Sequence, residues 1–390
     1  MVYPPHRMDL DLTTALRILR RLPFGRPETA RRRLEGLWAP EGDGLAFLSV
    51  RSAFDATLTA LDWPPGTEVL MSAVNISDMA TLLRLHGLVP VALPMTRADL
   101  VPTAEAVERA CTARTRGLLV AHLFGARAEV DTVFKHARGL GLVGLEDAAQ
   151  AYSGPSWRGS AEADVTYFSF GTIKTATALG GALVRVASPE LRARMGALEA
   201  AWPLQTRRTY AGKALRALLF LLLQTRLGYS TFSAGCRALG VVPGDVVRSL
   251  ARGFGGLSDE ALLAALRRRP CAPLLDTLTE RLTRPAPARI DARAAWGREV
   301  SAGTEVPGSA HAVHGHWLLP AYVRDAEVAR AALRAVDVDA SGTSNVVAMD
   351  DALMTELTRH WVFVPAYPEL PPAIRARVLE VLRRHRGQEC

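Results

Sequence analysis

The chain has 390 residues, 49% of them hydrophobic and 22% charged, enough apolar material for a large and a smaller core and too much for a disordered chain. The formal net charge is +8, yet of 47 basic Lys and Arg residues only three are lysines: Lys135, Lys174 and Lys213. The arginines are scattered and no basic block is interleaved with aromatic residues, so no nucleic-acid partner is expected.

In chain order, Met1 to Leu10 holds Pro4, Pro5 and Asp9 and no apolar core, so no secretory signal is expected. Residues 1–45 form an N-terminal arm. From Ala46 onward, short apolar runs alternate with helical stretches. The pattern predicts a helix over Ser52 to Leu61, a strand over Thr67 to Met71, a helix over Ser77 to Leu85 and a strand over Val89 to Leu93. A helix over Ala104 to Cys111, a strand over Gly117 to Leu123, a helix over Val130 to Arg138 and a strand over Leu142 to Leu145 follow. Runs such as Gly-Leu-Leu-Val-Ala-His-Leu are apolar throughout, as strands buried on both faces by crossover helices should be. This is an α/β pattern with a mainly parallel sheet in a large domain, placed at 46–255.

After Val186 the chain turns helix-rich. Ala217 to Leu223 reads Ala-Leu-Leu-Phe-Leu-Leu-Leu behind Arg207, Arg208, Lys213 and Arg216. The run is too short to span a bilayer, which takes ~20 apolar residues. A helix apolar on all sides is expected to be buried, at a subunit contact or beneath the chain's own small domain, although a basic flank also suits a membrane interface. Lys213 reads as a snorkelling flank of this helix. A loop is expected over Thr283 to Ala288, with Pro285 and Pro287. Beyond it, His316 to Pro320, a helix over Asp325 to Ala335, Trp361 to Val364 and a helix over Pro372 to Arg384 give a smaller α+β C-terminal domain, 256–390. Cys111, Cys236, Cys271 and Cys390 lack metal-ligand spacing; free thiols in a reducing cytoplasm and no bound metal are expected.

Two stretches carry the chemistry. In Gly144-Leu145-Glu146-Asp147-Ala148-Ala149-Gln150, Asp147 ends a buried strand, where ligands of open α/β sheets gather; alternatively it caps a following helix. In Tyr167-Phe168-Ser169-Phe170-Gly171-Thr172-Ile173-Lys174, the lysine sits among apolar and small residues ahead of Gly180-Gly181. A chain that uses arginine wherever charge suffices keeps lysine where a primary amine must lose its proton, as in an imine with an aldehyde. Lys135, beside His136 and Arg138 on a helix, reads as a surface residue.

Together with His122-Leu123-Phe124-Gly125 and, near the C-terminus, Trp361 through Pro368, these blocks resemble the DegT/DnrJ/EryC1/StrS aminotransferases, which have the type I fold of pyridoxal-phosphate enzymes. The resemblance implies that Lys174 carries pyridoxal 5'-phosphate as a Schiff base and serves as the proton-moving base. It also implies that Asp147 pairs with the ring nitrogen, Gln150 lies near the ring hydroxyl and Ser169 binds the phosphate. A phosphate is further expected at the helix opening at Ser52. Where the family has Ser-Gly-Thr-Ser the chain has Ser49-Val50-Arg51-Ser52, so Arg51 either supplies a charged phosphate contact or faces solvent. The family's ring-stacking aromatic is replaced by Ile76, left to cover the ring by apolar contact. The partner-subunit block is reduced to Leu227-Gly228-Tyr229. The activity implied is transamination from an amino acid, glutamate by family analogy, to a nucleotide-linked keto-sugar, by a cytoplasmic homodimer. The alternatives are an acceptor carbonyl on a lipid or carrier, with membrane association, or a pyridoxal-phosphate-binding protein without turnover.

Overall fold

The computed structural model describes residues 1–96, 98–241, 243, 246, 258–342, 346–349 and 352–387. Its centre is a seven-stranded sheet in the order β1-β8-β7-β6-β5-β2-β4. These strands are β1 (Gly44–Phe47), β2 (Glu68–Ser72), β4 (Val89–Leu93), β5 (Thr115–Ala121), β6 (Val143–Asp147), β7 (Val165–Ser169) and β8 (Ala182–Val186). The run β7-β6-β5-β2-β4 is parallel, whereas β8 pairs antiparallel with β7 and with β1. Leu118, Leu119, Val120 and Leu145 are fully buried, as strands covered on both faces require.

The crossover helices follow the sequence pattern closely: α3 (Val50–Leu61), α4 (Ser77–Leu85), α5 (Ala104–Ala110) and α6 (Asp131–Gly139). One start differs from expectation. The third helix opens at Val50, two residues before Ser52, because the Ser49 side chain caps it by accepting from Ser52 N–H. Such a cap contributes about 0.5–2 kcal/mol. In the N-terminal arm, α1 (Leu12–Arg21) and α2 (Pro27–Trp38) pack on the sheet's edge region, sharing a core with Phe168, Phe170 and Leu183.

Beyond the sheet lie α7 (Pro189–Ala201), α8 (Arg207–Leu223) and α9 (Arg226–Ala238). Contrary to the burial expected from its sequence, the apolar helix is covered on one face only within this chain. Tyr210, Ala214, Ala217 and Phe220 are buried, whereas Leu215, Leu219 and Leu222 are 59%, 48% and 67% exposed along the opposite face. The expected loop at Thr283 to Ala288 shrinks to residues 284–286, because α10 (Ala272–Thr283) runs to its start and α11 (Pro287–Ser301) begins with proline at its first position, where the missing N–H costs nothing. A third core gathers Trp296, Leu319, Val362, Val364 and Val378 around the antiparallel pair β9 (Leu319–Tyr322) and β11 (Trp361–Val364), with α12 (Ala326–Ala335) and α13 (Pro372–Arg384). The small strand β3 (Val74–Ile76) pairs with β10 (Val346–Ala348).

Among the described residues no helix is long and apolar enough to cross a membrane, and no group of His, Cys, Asp and Glu is placed to hold a metal. Cys111, Cys236 and Cys271 are free thiols; Cys390 lies outside the described residues.

Candidate active site

The carboxyl ends of β6 and β7 deliver the two residues singled out by sequence. Asp147 is the last residue of β6 and is buried; Ser169 is the last of β7, and the turn after it places Lys174 by a Lys174 N–H bond to the Gly171 carbonyl at 3.0 Å. A Cβ added at Gly171 would lie 3.6 Å from Ser169 Oγ and 3.8 Å from Lys174 Cγ, so the hydroxyl and the lysine stem flank the same point.

No helix follows Asp147 directly; residues 148–151 form a turn, and the helix-cap alternative falls away. Asp147 Oδ1 accepts from Ala149 N–H at 2.9 Å, while Oδ2 has no hydrogen-bond partner among the described residues. Burial pushes this carboxyl above the ordinary carboxylate range, opposed by the Ala149 N–H and the charge of Lys174. The lysine shows the converse. Burial lowers its amine from 10.5 to about 8, with Asp147 pulling up and Arg51 pushing down. Each group therefore disfavours its own charge and feels the other's, as expected where an amine must deprotonate and a carboxylate must meet a cation.

The neighbouring motif residues have another task. Adjacent residues of a strand point to opposite faces, so Glu146 lies on the other side of the sheet from Asp147. It takes bonds from His122 Nε2 at 2.7 Å, Thr166 Oγ1 at 2.7 Å and the Ser160 N–H at 2.9 Å. Burial alone would raise its carboxyl, but these bonds hold it below the usual range. Because Ala128 N–H donates to His122 Nδ1 at 3.0 Å, the ring hydrogen sits on Nε2, facing Glu146. This buried pair ties β5 to β6 behind the site.

Gln150 is buried, and its Oε1 accepts from Phe124 N–H at 2.9 Å. Gly125 then explains its own identity. Its φ is +103°, and an added Cβ would meet Trp317 N at 2.5 Å and His316 N at 2.8 Å. Only glycine allows the backbone of 315–317 so near. That segment carries Trp317, whose ring lies under Lys174 Nζ at 3.8 Å from the centroid and whose Nε1 donates to Ile173 O at 2.8 Å. Buried Arg293 braces the same loop, donating to Gly315 O at 2.6 Å and Thr175 Oγ1 at 3.0 Å.

Arg51, on the first turn of α3, pairs with Asp78 of α4 instead of facing solvent. Ile76 is half-buried and packs against the core that contains Val50, Phe54 and Met79. Lys213 departs from its expected position: it turns inward, so that a Cβ at Gly180 would lie 3.4 Å from its Nζ. Trp317, Arg293 and Lys213 are contributions that no local motif announced. A cavity of about 130 Å³ opens beside Lys174, walled by Trp317, Phe220, Leu223, Tyr229 and the N-terminal segment around Met8.

Residues 41–215 match the sequence model of the DegT/DnrJ/EryC1/StrS aminotransferase family, and every site residue above from Arg51 to Ser169 and Lys174 falls inside that match. Over that segment the chain is similar to the DegT/DnrJ/EryC1/StrS aminotransferases. It is similar in structure to PseC of Helicobacter pylori, an aminotransferase involved in the biosynthesis of pseudoaminic acid (14% identity, 98% of this chain and 99% of that chain, TM-score 0.68). It is also similar to DesI solved in the presence of its TDP-sugar product (20% identity, 98% and 92%, TM-score 0.62). A third is NtdA of Bacillus subtilis with bound cofactor PMP (17% identity, 96% and 82%, TM-score 0.60). At such identities the likeness shows the fold, that of the type I pyridoxal-phosphate enzymes. A DegT/DnrJ/EryC1/StrS aminotransferase takes an amino donor and a keto acceptor, with pyridoxal 5'-phosphate as cofactor.

The residues present fit that cofactor. Among the described residues Asp147 Oδ2 has no protein donor, and the Ser49-capped helix terminus, just after β1, and Ser169 Oγ, at the end of β7, could supply donors to a phosphate.

Proposed function

We propose that this aminotransferase holds its cofactor between Lys174 and Asp147 and moves nitrogen from glutamate to a nucleotide-linked keto-sugar. The observation that carries the site assignment is the pair itself: an amine lowered to about 8 in the turn after β7 and, at the end of β6, a buried carboxyl whose Oδ2 has no partner among the described residues, each feeling the other's charge. Pyridoxal phosphate supplies an aldehyde that takes up amines and a ring that accepts electrons from the substrate carbon.

The chain's own residues do the rest. Asp147 would keep a proton on the ring nitrogen through Oδ2, the oxygen that Ala149 N–H does not engage. Lys174 Nζ, with a substantial neutral fraction near physiological pH, would hold the cofactor's aldehyde carbon and would serve as the base that moves the substrate proton, a role worth ~10²–10⁴-fold. Trp317 positions that amine through the ring face beneath it. Ser169, Arg51, Ser52 and the free N–H groups of the α3 terminus hold the phosphate. Gln150 would lie near the ring hydroxyl, and Ile76 would cover a ring face.

The sugar acceptor is supported by DesI and its TDP-sugar product. One observation favours a second acceptor, a carbonyl on a lipid or carrier: the leucine face of α8 beside Arg207, Arg208 and Arg216, next to an apolar cavity wall. In the first reading the same face is covered by a second subunit of a cytoplasmic homodimer. The deciding experiment feeds the purified, cofactor-loaded protein glutamate and follows 2-oxoglutarate. It then offers nucleotide-linked keto-sugars to the aminated enzyme. Nitrogen recovered on the sugar supports the assignment. Turnover of glutamate with no sugar accepted, but with amination of a lipid-linked carbonyl, replaces the acceptor.

A further inference from the structure

Lys213 stands out among the three lysines. Lys135 is exposed on α6 and Lys174 serves the site, but the amine of Lys213 points inward from α8 to the loop that joins β7 to β8. That loop lies against the phosphate end of the site. Phe170 N–H bonds to Gly181 O at 3.0 Å, Gly180 N–H bonds to Phe170 O at 3.1 Å, and Gly181 N–H bonds to Leu48 O at 2.8 Å, one residue before the Ser49 cap. The ammonium therefore meets the fold where Ser169, Gly180 and the start of α3 converge. Among the described residues it has no hydrogen-bond or ion-pair partner. Nearby are further cations, Arg51 and Arg216, and no carboxylate acts on it. A cation driven inward against other cations, with no anion among the described residues to meet it, needs an anion from elsewhere.

We propose that Lys213 is a ligand of the cofactor phosphate, standing with Ser169 and the α3 terminus in place of the close glycine approach that Val50-Arg51 forgoes. The inference rests on the cofactor reading of the site given above. Its chemistry suits a lysine: the gap beside Gly180 admits a compact ammonium, and a point charge binds a phosphate monoester without the planar fork of an arginine. Burial and the charges of Arg216 and Arg51 lower the Lys213 amine to about 8; a bound dianion would restore its proton.

The test compares two ligands that differ only in the phosphate, pyridoxal phosphate and pyridoxal, in equilibrium titrations of the full-length, cofactor-stripped protein. Lys213→Met, which keeps the apolar stem, should weaken pyridoxal phosphate by about 10–100-fold and leave pyridoxal unchanged, since a charge-assisted bond is what it removes. Lys213→Arg should recover most of the loss. Equal affinity of Lys213→Met and wild type for pyridoxal phosphate overturns the inference, as does an equal loss toward both ligands. A loss seen only toward a nucleoside diphosphate overturns it too, and assigns the ammonium to the acceptor. If the wild type binds neither pyridoxal compound, the cofactor reading itself falls and the inference with it.

Discussion

Replacing Lys174 by methionine should make the cofactor-free protein more stable. The amine drops from 10.5 to about 8 on folding, and that net figure already includes the attraction of Asp147. A shift of 2.5 units corresponds to ~3.4 kcal/mol between the charged and neutral amine, so after allowance for partial solvent contact the penalty is about 1–3 kcal/mol. Its pH dependence has a definite sign. Between about 8 and 10.5 the unfolded chain holds a proton on this amine that the folded chain has released, so stability rises with pH across that window, and below 8 the penalty is complete. The gain from Lys174→Met, read from urea unfolding of the cofactor-free proteins, should be largest at pH 7 and shrink to roughly two fifths of that by pH 9.5. The same shift raises the neutral amine at pH 7.5 from ~0.1% to roughly a quarter, which readies it for an aldehyde. A variant no more stable than wild type, or one whose gain grows with pH, would refute the idea that Lys174 is held against its own charge.

Three further outcomes follow from the geometry. Gly125→Ala forces a Cβ within 2.5 Å of the Trp317 backbone nitrogen at a left-handed φ, so it should shift residues 315–317 and cut turnover at least tenfold; unchanged kcat would mean that Trp317 plays no part. Arg51→Ala breaks a half-exposed ion pair with Asp78 and should change stability by less than ~1 kcal/mol while weakening cofactor binding; unaltered affinity confines Arg51 to that pair. Exchanging Leu215, Leu219 and Leu222 for polar residues leaves the buried face of α8 intact, so the fold should persist while a dimer dissociates in light scattering; an undisturbed dimer places the subunit contact elsewhere.

The sequence made the sheet legible because its strands are apolar runs closed by turn residues; Ser77–Leu85, Val89–Leu93 and Pro372–Arg384 fall where periodicity places them. Asp147 was legible because it ends a buried strand, and Lys174 because it lies in the turn after the next one, each within an ordered set of motifs. What escaped depends on contacts distant in sequence. Both serines of Ser49-Val50-Arg51-Ser52 are competent caps, and only the structure shows that Ser49 is the extended residue that caps α3. Seven consecutive apolar residues in α8 cover every face of a helix, so only the packing of Tyr210, Ala214, Ala217 and Phe220 reveals which face is inside. Lys213 lies on a basic flank that looks solvated until Gly180 is found beside its amine. Trp317 meets Lys174 only because Gly125 admits the loop that carries it.

The most direct test of the central claim is to load the protein with pyridoxal phosphate, reduce it with borohydride and sequence the labelled peptide. The site described here predicts a single attachment, on the Nζ of Lys174, lost in Lys174→Met. Attachment at Lys135 or Lys213, or no attachment with the cofactor in excess, would contradict it.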